Sequence, residues 1–363
     1  ELASLVKGKS LADAALAVNH WCREKVTYQP SDSRTSSPLS TILSARGRCG
    51  EESTFTVSAL RAAGIPARQV YTPRWAHTDD NHAWVEVWVD GKWHYMGACE
   101  PEPVLDRGWF TEPARRAMLI HTKAFGRYNG NEPVVKSVKY FTELNCLPEY
   151  AVTKDLIVTV SNSRGERINN ATVDFLLYNY AELYPIASLA TDAKGRCHLL
   201  TGLGDLVVWA HNGDRFGFSH VNVSECDTLR LTIADTTLTG YLQLDLKAPV
   251  ARTPLPGPDP ELVRMNNLRV AHDDSIRNAY VNSWKTDEAV KRVLNSVRLD
   301  EKEVKEILAA GMGNYKALSG FIAGSGEKAG LAMRLLENVS EKDLRDGDAA
   351  IFADHLLKAP QQD

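Results

Sequence analysis

The spacing of apolar and polar residues indicates helices first and strands afterwards in the opening part of the chain. Residues 10–25 carry apolar side chains at helical spacing, and a second helical pattern runs from about Ser53 to Ala63. Short β-rich runs follow at residues 67–71, 82–89 and 92–98. Asp90-Gly91, between the last two runs, is typical of a two-residue hairpin turn. Helices followed by a hairpin-rich sheet predict an α+β fold for this part.

The pattern changes twice further along the chain. From about residue 155 to 233, short strands alternate with turn residues, which predicts a small β-sandwich. The proline-rich run at 254–260 predicts a stiff linker. Helical periodicity returns at residues 287–294, 301–308 and 327–356. We therefore predict four segments: an α+β domain at 1–149, a β-sandwich at 150–247, a linker at 248–261 and a helical region at 262–363.

Composition narrows the classes of function. The chain has 363 residues, 44% of them hydrophobic, and its formal net charge is -4. It lacks the basic field that attracts nucleic acid or anionic lipid, so neither is an expected partner. We expect no transmembrane segment in this sequence, because it contains no apolar run of the necessary length.

The cysteines argue against a metal centre. They stand at positions 22, 49, 99, 146, 197 and 226. No two form a CxxC pair, and they are too scattered for a disulfide framework. We therefore expect no structural zinc.

One cysteine lies in a setting that suits nucleophilic catalysis. Cys49, in the run GRCGEES, stands at or just before the second predicted helix. Unpaired backbone N–H groups and the positive end of the helix dipole favour a thiolate there, and they also supply a donor for an oxyanion. His82 begins a predicted strand and is the candidate base. Each residue taken alone is more often structural than catalytic, so the two assignments depend on each other.

Three ordered motifs resemble the transglutaminase core, including its peptide N-glycanase branch. They are GRCGEES, RAAGIPARQVY and NHAWVEVWVDGKW, within roughly residues 11–105. The resemblance implies a papain-like arrangement that hydrolyses or exchanges amide bonds without a cofactor. It assigns Cys49 as the nucleophile and His82 as the base. The sandwich resembles the Ig-like or carboxypeptidase regulatory-like accessory domains of exported bacterial proteins, which implies a periplasmic, cell-surface or secreted setting.

The sequence departs from the family at the third catalytic residue. Where the family usually has aspartate, this chain has Gly97, and Glu100 is the nearest carboxylate in the following GACEPEP run. A regular hairpin would direct Glu100 away from His82, so we expect a strand irregularity at Gly97-Ala98 to turn it back. Cys99, a backbone carbonyl or a carboxylate in the loop before His82 are the alternatives.

Several other residues are candidates for lining the substrate site. Arg74, Trp75 and His77 lie in the loop that leads into His82, and Trp84 follows on the strand. Packing of the tryptophans and a solvated polar loop are the structural alternatives. Gln29 is a candidate side-chain donor to an oxyanion, beside the backbone N–H of Cys49.

Two functions follow from these observations. The first is a cysteine peptidase or amidase acting on a protein, peptide or glycopeptide through a Cys49 thioester, with amide exchange as a variant. The second is a binding or structural module that has lost turnover along with the usual aspartate. The first is favoured because Cys49 and His82 are both retained, and the third residue mainly orients the base.

Overall fold

The computed structural model describes residues 1–234, 236–237 and 243–358. Positions 235 and 238–242 of the predicted sandwich segment, and 359–363 of the predicted helical region, lie outside the described residues. The α-helices are α1 (Leu2–Val6), α2 (Leu11–Lys25), α3 (Pro38–Ser44), α4 (Cys49–Ala62), α5 (Thr111–Ala114), α6 (Pro260–Asn282), α7 (Thr286–Ser296), α8 (Glu301–Ala310), α9 (Tyr315–Gly324), α10 (Ala329–Glu337), α11 (Glu341–Asp346) and α12 (Ala349–Lys358). The strands are β1 (Thr27–Tyr28), β2 (Arg46–Gly47), β3 (Ala67–Thr72), β4 (His82–Val89), β5 (Lys92–Met96), β6 (His121–Phe125), β7 (Val134–Ser137), β8 (Phe141–Asn145), β9 (Thr153–Asn162), β10 (Thr172–Asn179), β11 (Glu182–Ala190), β12 (Arg196–Gly202), β13 (Asp205–Asn212), β14 (Arg215–Asn222) and β15 (Thr228–Ile233).

Apart from the two-residue strands β1 and β2 and the short helix α5, helices and mainly antiparallel sheets occupy separate stretches of the chain, in agreement with the α+β prediction. The predicted helix over 10–25 is α2, and the pattern over 53–63 is the later part of α4. Asp90 and Gly91 both have positive φ, 49° and 83°, as a primed two-residue turn requires. The hairpin between β4 and β5 therefore forms where the dipeptide predicted it.

The described chain divides into two compact units. The first comprises residues 1–67, 87–105 and 258–363, and the second comprises 68–86 and 106–257. The helical C-terminal residues thus group with the first helices of the chain rather than standing apart. We predicted segment boundaries at residues 149, 247 and 261. That the segments between them fold independently stays a prediction.

In the first unit, α6 packs against α2 through charged side chains. His20 Nδ1 lies 2.5 Å from Asp273 Oδ2, and both residues are buried. Arg23 Nε donates to Asp274 Oδ1 at 2.7 Å, and Arg277 Nη1 donates to the Arg23 carbonyl at 2.8 Å. A buried face made of an aspartate and an arginine has no apolar stripe, so hydrophobic periodicity does not identify this helix.

The start of α6 is set by local sequence. Asp259 caps the helix by accepting hydrogen bonds from the N–H groups of Glu261 and Leu262, and Pro260 occupies the first turn, where its missing N–H costs nothing. The helix therefore begins inside the last two residues of the segment predicted as a linker.

The shorter C-terminal helices have a hydrophobic core of their own. Helices α7 to α10 and α12 each contribute apolar residues at helical spacing. This core comprises Ala289, Val290, Val293, Val297, Val304, Ile307, Leu308, Tyr315, Leu318, Phe321, Ile322, Ala329, Ala332, Met333, Leu336, Leu344, Phe352 and Leu356.

The second unit is built from sheets. One has the strand order β4-β3-β6-β8-β7, to which β3 and β4 contribute residues 68–72 and 82–86. The others are β11-β10-β13-β14 and β12-β9-β15. In the last of these, β15 runs parallel to β9, whereas β12 runs antiparallel to it. Apolar residues from both of these sheets, such as Phe175 and Leu199, share one core.

The sequence predicts no transmembrane segment. Among the described residues, no helix combines the length and the apolar character needed to cross a bilayer.

Candidate active site

Cys49 is the first residue of α4, in the first unit. Its side chain is partly exposed and forms no disulfide. Arg48 precedes it as the N-cap, and Glu51 at the third helical position accepts a hydrogen bond from the Arg48 backbone N–H at 3.0 Å. The thiol therefore stands beside the positive end of the helix dipole, a place that favours the thiolate form.

The helix start is held in place by a buried ion pair. Glu51 is 2% exposed, and its Oε1 lies 2.9 Å from Nζ of Lys342 in α11. Lys342 also donates to the carbonyls of Asp32 and Arg34, in the segment before α3. Nothing local to GRCGEES indicates this pair, because Lys342 lies almost three hundred positions away in the sequence.

Gln29 directly follows β1, which pairs in parallel with β2 just before Cys49. Its backbone N–H donates to the Gly47 carbonyl at 2.8 Å, and its side-chain oxygen accepts a hydrogen bond from Arg46 Nη1 at 2.9 Å. A role for this amide as an oxyanion donor stays a prediction.

The chain leaves the β5 strand earlier than the sequence predicted. β5 ends at Met96 and does not continue to Ala98. Cys99 adopts a positive φ of 57°, and Asn19 holds the bend by donating to the Gly97 carbonyl and accepting from the Cys99 N–H. An irregularity is thus present where we expected one, as a strand end rather than a bulge.

Glu100 folds back over Gly97 at this bend. A Cβ placed on Gly97 would lie 2.9 Å from the Glu100 Cβ, so glycine is the residue that fits there. Glu52 on α4 is a buried carboxyl nearby. Burial raises its pKa well above the ordinary value, and the charge of Glu100 adds to this effect.

His82 is the first residue of β4, in the second unit, and it is surrounded by aromatic rings. Its ring centroid lies 4.5 Å from Trp109, 5.0 Å from Phe110 and 5.7 Å from Trp84. Burial lowers the pKa of His82 to about 3. Its Nε2 is buried and meets no hydrogen-bond partner in the described part of the chain. The imidazole is therefore neutral at rest, and its burial opposes protonation.

A buried polar network supports the strand that carries His82. Trp84 Nε1 donates to the Tyr150 hydroxyl at 2.9 Å, and that hydroxyl donates to Glu86 Oε1 at 2.6 Å. Arg68 Nε donates to the other Glu86 oxygen at 2.6 Å. Sequence reasoning missed Glu86, although a carboxylate in the apolar run HAWVEVWV was the available signal for a buried pair.

The loop candidates Arg74, Trp75 and His77 also belong to the second unit. Trp75 is buried, and its ring is parallel to that of Trp84 at 6.3 Å. Arg74 places its guanidinium 3.9 Å from the Tyr184 ring centroid. The ring of His77 lies 5.8 Å from that of Trp75. These are packing contacts, and a substrate-lining role for the three residues and Trp84 stays a prediction.

The predicted catalytic residues are divided between the two units. Cys49 and Glu100 belong to the first unit, and His82 belongs to the second. The pairing of Cys49 with His82, and of His82 with Glu100, therefore stays a prediction. Among the described residues, no group of three or more His, Cys, Asp or Glu side chains is placed to hold a metal ion.

Comparison with known proteins identifies the region that carries Cys49 and His82. Residues 2–98 match the Transglutaminase-like superfamily. An uncharacterised protein of Mycobacterium leprae is 29% identical over 103 residues, which cover 25% of this chain and 36% of the relative. The chain thus spans about a third of the curated relative that it matches.

Two solved structures are also similar. One is described as a TGase, with 22% identity, a TM-score of 0.21, and coverage of 26% of this chain and 28% of that one. The other is described as a candidate cysteine protease from Cytophaga hutchinsonii, with 16% identity, a TM-score of 0.22, and coverage of 65% and 50%.

Proposed function

Starting from a transglutaminase-like core over residues 2–98, we propose that this chain is a cysteine hydrolase that cleaves amide or peptide bonds through Cys49. The observation that carries the proposal is the position of Cys49 as the first residue of α4, within the matched segment. A partly exposed thiol at the positive end of a helix dipole has both access to substrate and stabilisation of its thiolate.

The proposed reaction has two halves. In the first, His82 takes the Cys49 proton and the thiolate attacks the substrate carbonyl carbon. The N–H groups at the start of α4 stabilise the negative oxygen of the tetrahedral intermediate. The imidazolium then protonates the departing amine, which leaves a thioester on Cys49. In the second half, His82 removes a proton from water, the hydroxide attacks the thioester, and the carboxylic acid departs as the thiol is restored.

Burial of His82 makes this scheme depend on compensating negative charge. A site that lowers the imidazole pKa to about 3 disfavours the imidazolium unless an anion lies beside it. The Cys49 thiolate is one such anion, and we propose Glu100 as the other. Amide exchange, as in protein cross-linking, needs a site that excludes water and is the less favoured variant.

The remaining assignments follow from the family resemblance. We propose that the sheets β11-β10-β13-β14 and β12-β9-β15 form an accessory sandwich of the Ig-like or carboxypeptidase regulatory-like kind. We propose an extracytoplasmic setting and a protein, peptide or glycopeptide substrate. These assignments rest on analogy of architecture.

A second function is favoured by one observation. Gly97 stands where the family usually has aspartate, and its close contact with Glu100 leaves no room for a larger residue. A binding or structural module without turnover is therefore the competing proposal.

Labelling of Cys49 with iodoacetamide across pH separates the two proposals. An activated Cys49 should be alkylated rapidly at pH 6, and His82→Ala should abolish that low-pH reaction. The exposed Cys226 in the same molecule serves as the internal reference. Identical pH dependence for Cys49 and Cys226 would contradict the hydrolase and favour the binding module.

A further inference from the structure

The turn between β10 and β11 carries a fully buried polar side chain. Tyr180 and Ala181, its two central residues, both have positive φ, 52° and 59°, which is the geometry of a primed hairpin turn. Asn179 ends β10 just before them and has no exposed surface. A buried amide needs partners for its oxygen and its two N–H donors, so its contacts show what it does.

Asn179 bonds to the loop that leads into His82. Its Nδ2 donates to the carbonyl of Trp75 at 3.0 Å and to the carbonyl of Thr78 at 2.9 Å. Its Oδ1 accepts a hydrogen bond from the Asp80 N–H at 3.3 Å. One side chain thus forms hydrogen bonds with three backbone groups within six residues. These bonds hold a loop that has no helix or strand hydrogen bonds of its own.

Two further contacts join the same hairpin to the same loop. The Tyr180 N–H donates to Asp79 Oδ1 at 2.7 Å. The guanidinium of Arg74 lies 3.9 Å from the ring centroid of Tyr184 and 5.8 Å from that of Tyr180. The hairpin therefore contacts the loop through the main chain and through side chains.

A series of aromatic rings extends from this loop to the imidazole. The Trp75 ring is nearly parallel to that of Trp84, at 6.3 Å and 5°. The Trp84 ring in turn lies 5.7 Å from His82 at an interplanar angle of 23°. Trp75 belongs to the loop that Asn179 holds, and His82 follows Asp80 by two residues. The hairpin thus fixes both the backbone before His82 and the ring layer beside it.

We propose that Asn179 is a positioning residue for His82, so that the sandwich segment serves the site rather than standing apart from it. The proposal rests on the proposed function of His82 as the base. On this proposal, Arg74 and Trp75 hold the His82 loop in place and do not line the substrate site. Small displacements of a catalytic group are costly because proton transfer needs near hydrogen-bond geometry.

The test uses Asn179→Asp in the whole chain, because aspartate keeps the shape and the acceptor while removing both donors. The first readout is NMR of the His82 ring protons, which the neighbouring tryptophan rings shift. The second is the rate of Cys49 alkylation at pH 6. We expect the ring resonances to lose part of their shift and the alkylation rate to fall about ten-fold.

Two other variants make the result specific. Asn212→Ala alters an exposed asparagine at the end of β13 in the same sheet, and it should leave both readouts unchanged. Arg74→Gln removes the contact with Tyr184 without altering the hairpin, and it should change both readouts in the same direction as Asn179→Asp but less. It also provides a second test if the Asn179 variant does not fold.

The outcomes separate the two proposals. Unchanged His82 resonances in both Asn179→Asp and Arg74→Gln would overturn the positioning role. Shifted resonances with an unchanged alkylation profile would also overturn it, since the displacement would have no chemical effect. If the wild-type chain shows no alkylation of Cys49 at pH 6 while the resonances still shift, the hydrolase fails and the structural anchoring of His82 stands.

Discussion

Burial sets the resting protonation state of His82. The surrounding aromatic rings lower its pKa to about 3, whereas a histidine in an unfolded chain titrates near its ordinary value of 6.5. The folded state therefore binds the His82 proton less readily than the unfolded state, and this difference is a contribution to stability. It is fully present above about pH 6.5 and declines as the pH falls towards the folded-state value.

We predict that His82→Phe reduces the loss of stability between pH 7 and pH 4. Phenylalanine fills the aromatic site without titrating, so the variant should lose about 3 kcal/mol less than the wild type over this range. Urea unfolding at both pH values measures the difference. His272→Asn, at an exposed position of α6, is the control and should behave like the wild type. Equal losses in wild type and His82→Phe would show that burial does not control this histidine.

We predict that Glu100→Gln keeps the fold and lowers the rate of Cys49 alkylation at pH 6 by about ten-fold or more. A neutral amide neither selects the same imidazole tautomer nor stabilises the imidazolium in its buried site. Glu102→Gln, two residues further along the same segment, is the matched control. A wild-type rate in Glu100→Gln would reject Glu100, leaving Cys99, a backbone carbonyl, Asp79 or Asp80 to orient the base.

At the scale of elements, α4 depends on residues remote in sequence. The capping contact between Glu51 and Arg48 is local, but the other Glu51 oxygen contacts Lys342 in α11. Gly47, just before the helix, is required because a Cβ there would lie 2.7 Å from the Glu51 Cβ. Residues next to Cys49 and a residue near the C-terminus, Lys342, therefore both fix the start of the helix that carries Cys49.

We predict that Lys342→Met destabilises the first unit by about 3 kcal/mol, because the buried Glu51 carboxylate then keeps only the more distant Arg48 guanidinium, at 3.4 Å, as a cation. Adding Glu51→Gln should recover part of this loss, since the remaining group is then neutral. Urea unfolding at pH 7 measures both effects. Lys302→Met, at an exposed position of α8, should cost less than about 0.5 kcal/mol. No recovery in the double variant would refute the pair as the cause.

At the scale of the whole molecule, the C-terminal residues complete the first unit. Residues 258–363 group with residues 1–67 and 87–105, and α6 supplies Asp273 to the buried His20. Without α6, His20 and Arg23 of α2 lose the carboxylates that they contact.

We predict that a chain ending at residue 257 loses the cooperative unfolding of the first unit. His20 and Arg23 would lack their carboxylate partners, and a buried polar group without a partner is costly. Near-UV circular dichroism and urea unfolding of the 1–257 chain, compared with the whole chain, measure this loss. Cooperative unfolding of α2 and α4 in the shorter chain would instead support an independent 1–149 domain.

The sequence by itself determined features that depend on neighbouring residues. Helical spacing predicted α2, the dipeptide Asp90-Gly91 predicted the β4–β5 turn, and the GRCGEES run placed Cys49 at a helix start. These succeed because propensity, capping and turn geometry are set within a few residues. The superfamily that matches residues 2–98 is the one that the sequence motifs indicated.

The tertiary structure alone decided what surrounds these elements. The pairs Glu51–Lys342 and His20–Asp273, and the bonds of Asn179 to the His82 loop, join residues about 100 to 290 positions apart. Helix α6 lies almost entirely within the region predicted as helical, but apolar periodicity did not mark it, because its buried face is charged. The end of β5 was predicted two residues too late, because Asn19 imposes the bend at Cys99. Buried polar contacts of this kind have no period in the sequence, because each depends on a partner that only folding brings near.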